Sequence, residues 1–350
     1  MIKPWMFEFL HAPSTQGGEV SPQTASAVFD HGIALWKRLD TLDFEGIFFS
    51  EHHFGLSYSP SPNLLIAAIA RFTTRLRLGT MGVVLPLYQP WRVLEEIGML
   101  DHLTGGRLEI GCASGVPQEL IQTGVGPEEN RERFNETLQI LDAWLADPVI
   151  SHHGRYYNFD NLHVVPRPRQ QPSPPKWTTV VSPASAVHAA ARRSKVCTAF
   201  ESVARIKEIF DAYRREAGRL GIVHTPDQLA IRRNVSVASS GAEARERSQM
   251  AMEATRKVLA GDPRVRQQPS SLLDAPKPEP KSGAGFSVHA DEFIAGTPAQ
   301  VAEQIIAQCR HCGAGHFLAI LGRAIDEQRI RAVELFGEQV IPILRRAEVT

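Results

Sequence analysis

Short apolar runs alternate with helical patterns along almost the whole chain, and this alternation restricts the fold more than any other feature. The run from Trp5 to Leu10 reads as a first strand, and Leu35, Leu39 and Leu42 mark one face of a helix over 24–43. Gly46-Ile47-Phe48-Phe49 is apolar on both faces, the kind of strand that a parallel sheet buries between helices. Helix 62–72, strand 76–84, helix 90–104 and strand 107–113 continue the series. Helix 128–145 follows, with Phe134, Leu138 and Leu141 on one side. Strands at 177–181, 196–200, 229–237 and 317–321, each followed by a helix, bring the count to eight. Such a pattern predicts an α/β protein, either a closed parallel barrel or a long doubly wound sheet, and a count of eight favours the (β/α)8 TIM barrel. Catalytic groups of that barrel stand at the C-terminal ends of its strands.

Two segments interrupt the alternation within what reads as a single domain over 1–350. Residues 149–175 are expected to form an inserted hairpin and a proline-rich connection. Residues 261–296, with Lys277-Pro278-Glu279-Pro280-Lys281 at their centre, are expected to be a long mobile loop, either a lid over the site or a tolerated surface insertion. The 38 basic and 38 acidic side chains balance, which leaves no electrostatic footprint for nucleic acid or an anionic membrane. No run approaches the roughly 18 apolar residues of a membrane span, and Met1-Ile2-Lys3-Pro4-Trp5 lacks the apolar core of a signal peptide. The expected location is therefore cytoplasmic. Cys112, Cys197, Cys309 and Cys312 are too sparse for a disulfide framework, and the last two fall on the apolar face of a helical pattern, as buried thiols do.

The chemistry-bearing residues cluster after the strands. Ser50-Glu51-His52-His53-Phe54 ends the second strand, where one histidine suits acid–base work and its neighbour, pointing the other way, suits packing. His152-His153 lies in the inserted hairpin and reads as a solvated pair, so three or four converging metal ligands are lacking and no metal is expected. Gly111-Cys112-Ala113-Ser114-Gly115 follows the fourth strand and offers backbone N–H groups to an anion. Ser182-Pro183-Ala184-Ser185 follows the fifth as an N-cap pattern, and a helix N-terminus also receives phosphate. Two such turns and the histidines on one barrel face point to a phosphate-bearing cofactor.

Glu51-His52-His53-Phe54, Leu78-Gly79-Thr80 through Val84-Leu85-Pro86, Gly105-Gly106-Arg107-Leu108, Glu132-Arg133-Phe134, the Pro166-to-Pro175 connection and Gly296-Thr297-Pro298-Ala299-Gln300-Val301 occur in this order. Together they resemble the bacterial luciferase-like flavin monooxygenases over nearly the whole chain. The resemblance implies reduced FMN, delivered by a separate flavin reductase, reacting with dioxygen to a flavin hydroperoxide that oxygenates a small apolar substrate such as an aldehyde. It implies His52 as the catalytic histidine, with Glu51 beside it at the flavin. It places a non-proline cis peptide at Met81-Gly82 behind the flavin ring, with Gly82 easing the approach of backbone to ring. Ala113, Ser114, Val181, Ser182 and Ser185 then line the cofactor site.

One position departs from that pattern. Ser114 stands where luciferase has an arginine on the FMN phosphate. Ser182 and Ser185 would then hold more of the phosphate, with Arg192 or Arg193 as compensating charges. The departure keeps two alternatives open, a deazaflavin-dependent oxidoreductase of the same superfamily and a flavin-binding protein without turnover. The resemblance also implies a dimer, of identical or related subunits, packed through the helices near 62–72 and 90–104.

Overall fold

A computed structural model of the chain describes residues 1–11, 20–54, 57–259, 289–323 and 326–349. Its elements begin with β1 (Lys3–Glu8), α1 (Pro22–Leu39), β2 (Gly46–Phe49), α2 (Pro62–Ala70), β3 (Arg77–Thr80), β4 (Val83–Val84), α3 (Pro90–Leu103) and β5 (Leu108–Ala113). They continue with α4 (Pro117–Thr123), α5 (Pro127–Ala146), β6 (Val149–His153), β7 (Asn158–His163), β8 (Lys176–Thr179), α6 (Pro183–Ala191), β9 (Lys195–Thr198) and α7 (Val203–Arg219). The rest are β10 (Leu229–Val237), α8 (Gly241–Leu259), β11 (Phe293–Gly296), helix Pro298–Cys312, β12 (His316–Ile320) and two closing helices, Glu327–Leu335 and Ile341–Arg346.

Eight parallel strands close on themselves in the order β1-β2-β3-β5-β8-β9-β10-β12, with β12 returning to β1 at Lys3↔His316. This is the (β/α)8 barrel that the alternation predicts. Strand side chains alternate between two buried environments, as the period of two requires. Trp5, Phe7, Phe48, Trp177, Leu318 and Ile320 fill the barrel, and Met6, Ile47, Phe49, Leu78, Ile110 and Phe317 pack outward under the helices. Trp5 stacks on Phe48 with ring centroids 4.6 Å apart.

The N-terminal face of the barrel is closed by charge. Trp5 donates from Nε1 to His316 Nδ1 at 2.9 Å, His316 Nε2 lies 3.0 Å from Asp227 Oδ1, and Lys195 Nζ donates to Asp227 at 2.7 Å. Burial would raise the Asp227 carboxyl, but the His316 hydrogen bond and the Lys195 ammonium outweigh it and hold the group far below the usual carboxylate range. Arg77 pairs with Glu109, which also accepts from Trp177 Nε1 at 2.6 Å. A cavity of about 440 Å³ opens among these groups. In this fold that face serves stability rather than chemistry.

Three expectations are corrected. The strand expected over 76–84 is interrupted at Met81–Gly82, whose peptide bond is cis, and resumes as β4 alongside the end of β5. A seam of glycines lies at the break: a Cβ on Gly82 would lie 2.7 Å from the Cys112 carbonyl carbon, and one on Gly111 would lie 1.7 Å from the Thr80 oxygen. The loop expected over 261–296 ends earlier, because Phe293–Gly296 forms β11, parallel to β10 and outside the eight barrel strands. Buried Ile294 anchors it. Residues 261–288 lie outside the described residues. In the hairpin of β6 and β7, His152 is not simply solvated: its Nε2 lies 3.0 Å from Glu136 in a partly buried pair, whereas His153 is exposed beside Asp160.

Buried thiols occupy the CxxC positions. Cys309 and Cys312 are fully buried, and burial pushes the Cys312 thiol up to about 11. No described helix is long and apolar enough to cross a membrane.

Candidate active site

The sequence-predicted site residues stand at the C-terminal ends of four consecutive barrel strands. Glu51 and His52 follow β2, Met81 and Gly82 follow β3, Ala113 and Ser114 end β5, and Val181, Ser182 and Ser185 follow β8. Together they form an arc over half of the barrel mouth.

At the β2 end the ladder runs one residue past the strand, since the Ser50 N–H donates to Glu8 O at 2.9 Å. Alternation from Phe48 turns Ser50 inward, and its buried Oγ has no hydrogen-bond partner among the described residues. Glu51 is buried. It accepts from the Val84 N–H and the Tyr88 hydroxyl, both at 3.1 Å, and from His53 Nε2 at 2.8 Å. Both carboxylate oxygens are thereby used. Glu51 braces the β4 segment and His53. The hydrogen bond to Glu51 raises the His53 imidazole above its ordinary value, against burial.

His52 turns the opposite way. Its Nδ1 lies 2.9 Å from Glu119 Oε1, and its ring stacks on Phe9 at 5.6 Å and 27°. A carboxylate accepts, so Nδ1 is the donor of this pair and Nε2 is the ring nitrogen left for another partner. Glu119 arrives on α4, a short helix between two segments that the sequence reads as loop and helix.

The middle of the arc is apolar. Met81 packs into the barrel interior with Phe7 and Phe48. A Cβ on Gly82 would meet the Cys112 and Gly111 backbone, so the close packing on β5 requires glycine there. At the far end Ser182 and Ser185 cap α6 reciprocally: the Ser185 N–H donates to Ser182 Oγ at 3.2 Å and the Ser182 N–H to Ser185 Oγ at 3.1 Å. No acidic side chain lies in the first turn of α6, and Val181 and Ser114 beside it are exposed. That helix end is an electropositive position for an anion. Arg192 cannot assist it. It caps the other end of the nine-residue helix, paired with Asp142, about 13 Å away at 1.5 Å per residue. Arg193 follows it there.

Three residues of the mouth escape the sequence reading. Phe9 lies between His11 and His52. Arg232 on β10 projects inward, its guanidinium carbon 4.8 Å from the Phe7 ring centroid, 5.3 Å from that of Phe9 and 4.5 Å from that of Phe200. Arg323, after β12, lies 5.0 Å over Phe9. Burial, then the charge of Arg232, pushes Arg323 down to about 10, and burial with Arg323 pushes His11 down to about 4, so His11 is neutral at pH 7. Arg232-Arg233 was a legible signal: two adjacent arginines in an apolar strand must send one guanidinium into the barrel. Among the described residues no group of three or more His, Cys, Asp or Glu side chains could hold a metal ion.

A family profile of luciferase-like monooxygenases matches residues 7–315. The chain belongs to the luciferase-like monooxygenase family. Among its relatives is an uncharacterized protein of Sinorhizobium fredii, 38% identical over 189 residues, covering 53% of this chain and 55% of the relative. Another is the oxygenase component of a flavin-dependent trigonelline monooxygenase from Acinetobacter baylyi, 33% identical over 168 residues, or 47% of this chain and 46% of that protein. The chain spans about half the length of the curated relatives it matches. Two solved structures share the luciferase-like fold. One is the oxygenating constituent of 3,6-diketocamphane monooxygenase from Pseudomonas putida in complex with FMN, with TM-score 0.75, 23% identity and coverage of 98% of this chain and 99% of that one. The other is an F420-dependent secondary alcohol dehydrogenase, with TM-score 0.71, 16% identity and the same coverage.

Proposed function

We infer that this protein is a flavin-dependent monooxygenase that binds reduced FMN across the barrel mouth and inserts one atom of dioxygen into a small, largely apolar organic substrate. The observation that carries this reading is the arc itself: an anion position at the α6 N-terminus, an apolar wall at Met81, and the His52–Glu119 pair at the opposite end. The unpartnered Ser50 hydroxyl beside that wall suits the polar edge of a flavin ring. When bound, reduced flavin supplies two electrons, so that one oxygen atom enters the substrate and the other leaves as water. The protein's share is to hold the phosphate at the α6 N-terminus, on the Ala184 N–H and the Ser182 and Ser185 hydroxyls, with Ala113, Ser114 and Val181 around it. It also keeps water from the apolar wall and moves a proton at His52 Nε2. The name "oxygenase component" carried by the Acinetobacter relative supports a separate flavin reductase as partner.

Ser114 favours one rival, a deazaflavin-dependent oxidoreductase, because no arginine meets the phosphate in that turn. Anaerobic titration with reduced FMN and reduced F420, each then mixed with air, separates the two. Reduced FMN should bind more tightly than reduced F420 and more tightly than oxidised FMN, and substrate should be oxygenated on aeration. Binding of F420 alone selects the rival, and binding of FMN without turnover selects a flavin carrier. Ser114→Arg should restore a charge-assisted hydrogen bond and tighten reduced-FMN binding about tenfold to a hundredfold.

The same reading makes α2 and α3 a self-association face. Leu64, Phe72, Trp91, Met99 and Leu103 are exposed there, and α2 packs beside α3. A dimer should sediment as such, and Met99→Glu should shift it toward monomer; an unchanged sedimentation coefficient in that variant removes this face from the interface.

A further inference from the structure

Arg232 poses a problem that the rest of the fold does not solve. The residue is 7% exposed, and neither Nε nor Nη2 has a hydrogen-bond partner among the described residues. The nearby carboxylate, Glu292, is already engaged. It accepts from Arg233 Nη1 and Asn234 Nδ2, both at 3.0 Å, and from the Phe200 N–H at 2.8 Å. Among the described residues, the hydrogen bonds of Glu292 go to Arg233, Asn234 and Phe200, and Arg232 and Arg323 have neutral aromatic rings about them. A buried charge without a hydrogen-bonded partner is costly.

The two unpartnered nitrogens share one edge of the guanidinium. Their N–H bonds point the same way, and this side-on pair matches the two oxygens of a carboxylate. Topology decides whose anion it is. β10 is the fourth strand from β3 in either direction round the barrel, so Arg232 faces the Met81 wall across the full diameter. A flavin ring against Met81 leaves Arg232 on its far side, where the substrate lies.

We propose that the substrate is an organic acid with a planar or extended apolar body, and that Arg232, supported by Arg323, receives its carboxylate side-on. This inference rests on the flavin reading for the position of the ring, and it replaces a neutral, aldehyde-like substrate by an anionic one. Phe7, Phe9 and Phe200 supply the apolar walls. Phe9 and Phe200 follow their strands at the mouth and are only partly buried, so the acid reaches Arg232 by parting them.

Calorimetric titration of the full chain with benzoate, cinnamate and octanoate, each against its own amide, tests the proposal without turnover. At least one acid should bind tenfold or more tighter than its amide, the scale of a charge-assisted hydrogen bond. Arg232→Met should abolish that preference while leaving amide binding unchanged, and Arg323→Met should reduce it less. Arg232→Lys keeps the charge without the side-on pair and should lose most of the preference; it decides the matter if the methionine variant fails to fold. No preference for any acid, a preference that survives in both Arg232 variants, or binding of benzenesulfonate alone would each overturn the proposal. Flavin titrations run separately, so failure of FMN to bind counts against the flavin reading and loss of the acid preference counts against this one.

Discussion

Alanine at position 52 should lower substrate oxygenation at least about a hundredfold, within the hundredfold to ten-thousandfold that a positioned acid–base group contributes. Reduced-flavin affinity should stay within a few-fold, because the phosphate position lies at α6 and the apolar wall at Met81, neither of which His52 supports. The imidazole is held from two sides, by Glu119 at 2.9 Å and by the Phe9 ring, so its loss removes a proton carrier of fixed direction. His52→Asn separates chemistry from structure, since an amide can keep a hydrogen bond to Glu119 and still carry no base. Single-turnover oxidation of bound reduced flavin, with product quantified, gives the measurement, and added imidazole should restore part of the rate in the alanine variant. Near-normal product yield in both variants would mean that His52 only packs against Phe9. Glu119→Gln keeps an acceptor for Nδ1 and leaves the imidazole in place, so turnover should fall less than in the alanine variant at position 52.

Glu8→Ala should be the most damaging single change to stability, costing about 3–5 kcal/mol, the range for breaking a buried ion pair from one side. Glu8 ends β1 and accepts from the Leu10 N–H at 3.0 Å, from Trp36 Nε1 at 2.8 Å and from Arg329 Nη2 at 2.7 Å. Both side chains of the ion pair are 2% exposed. Its removal strands the Arg329 guanidinium and the Trp36 N–H in a dry site and releases α1 and the helix Glu327–Leu335 from the barrel. Urea unfolding of the variant should show the lower midpoint with an unchanged slope. The double variant Glu8→Ala with Arg329→Met should recover a large part of the loss, because the charge left behind, not the missing contact, dominates the cost.

The fold was legible because β2 and the Phe317–Ile320 part of β12 are unbroken apolar runs and helices such as α1 carry their own spacing. Phe48-Phe49 and Phe317-Leu318 admit no solvated face, so only a sheet covered on both sides accommodates them. The site was legible as a set of strand ends and not as a set of roles. A carboxylate reads the same in sequence whatever it accepts from, and only the positions of Val84, Tyr88 and His53 show the three hydrogen bonds that Glu51 makes. Glu119 stayed hidden because nothing in its local sequence ties it to a histidine 67 residues away. Strand β11 stayed hidden because four residues beside a proline-rich stretch are too few to show a period. Arg232 carried its signal in the alternation of β10, whose period of two sends one of two adjacent arginines into the barrel.

The glycine seam between β3 and β5 has a consequence for how proteins of this shape acquire new substrates. Gly82 and Gly111 bring two backbones together so closely that no side chain fits at either position. That side of the barrel therefore has no room to vary. The opposite side presents side chains of β10 and β12, Arg232 and Ile320 among them, with Phe7 and Phe9 next to them. Libraries aimed at changed selectivity should hold 79–82 and 111–112 constant and spend their diversity across the barrel, so that one half of the mouth serves as a fixed frame and the other as the part that evolves.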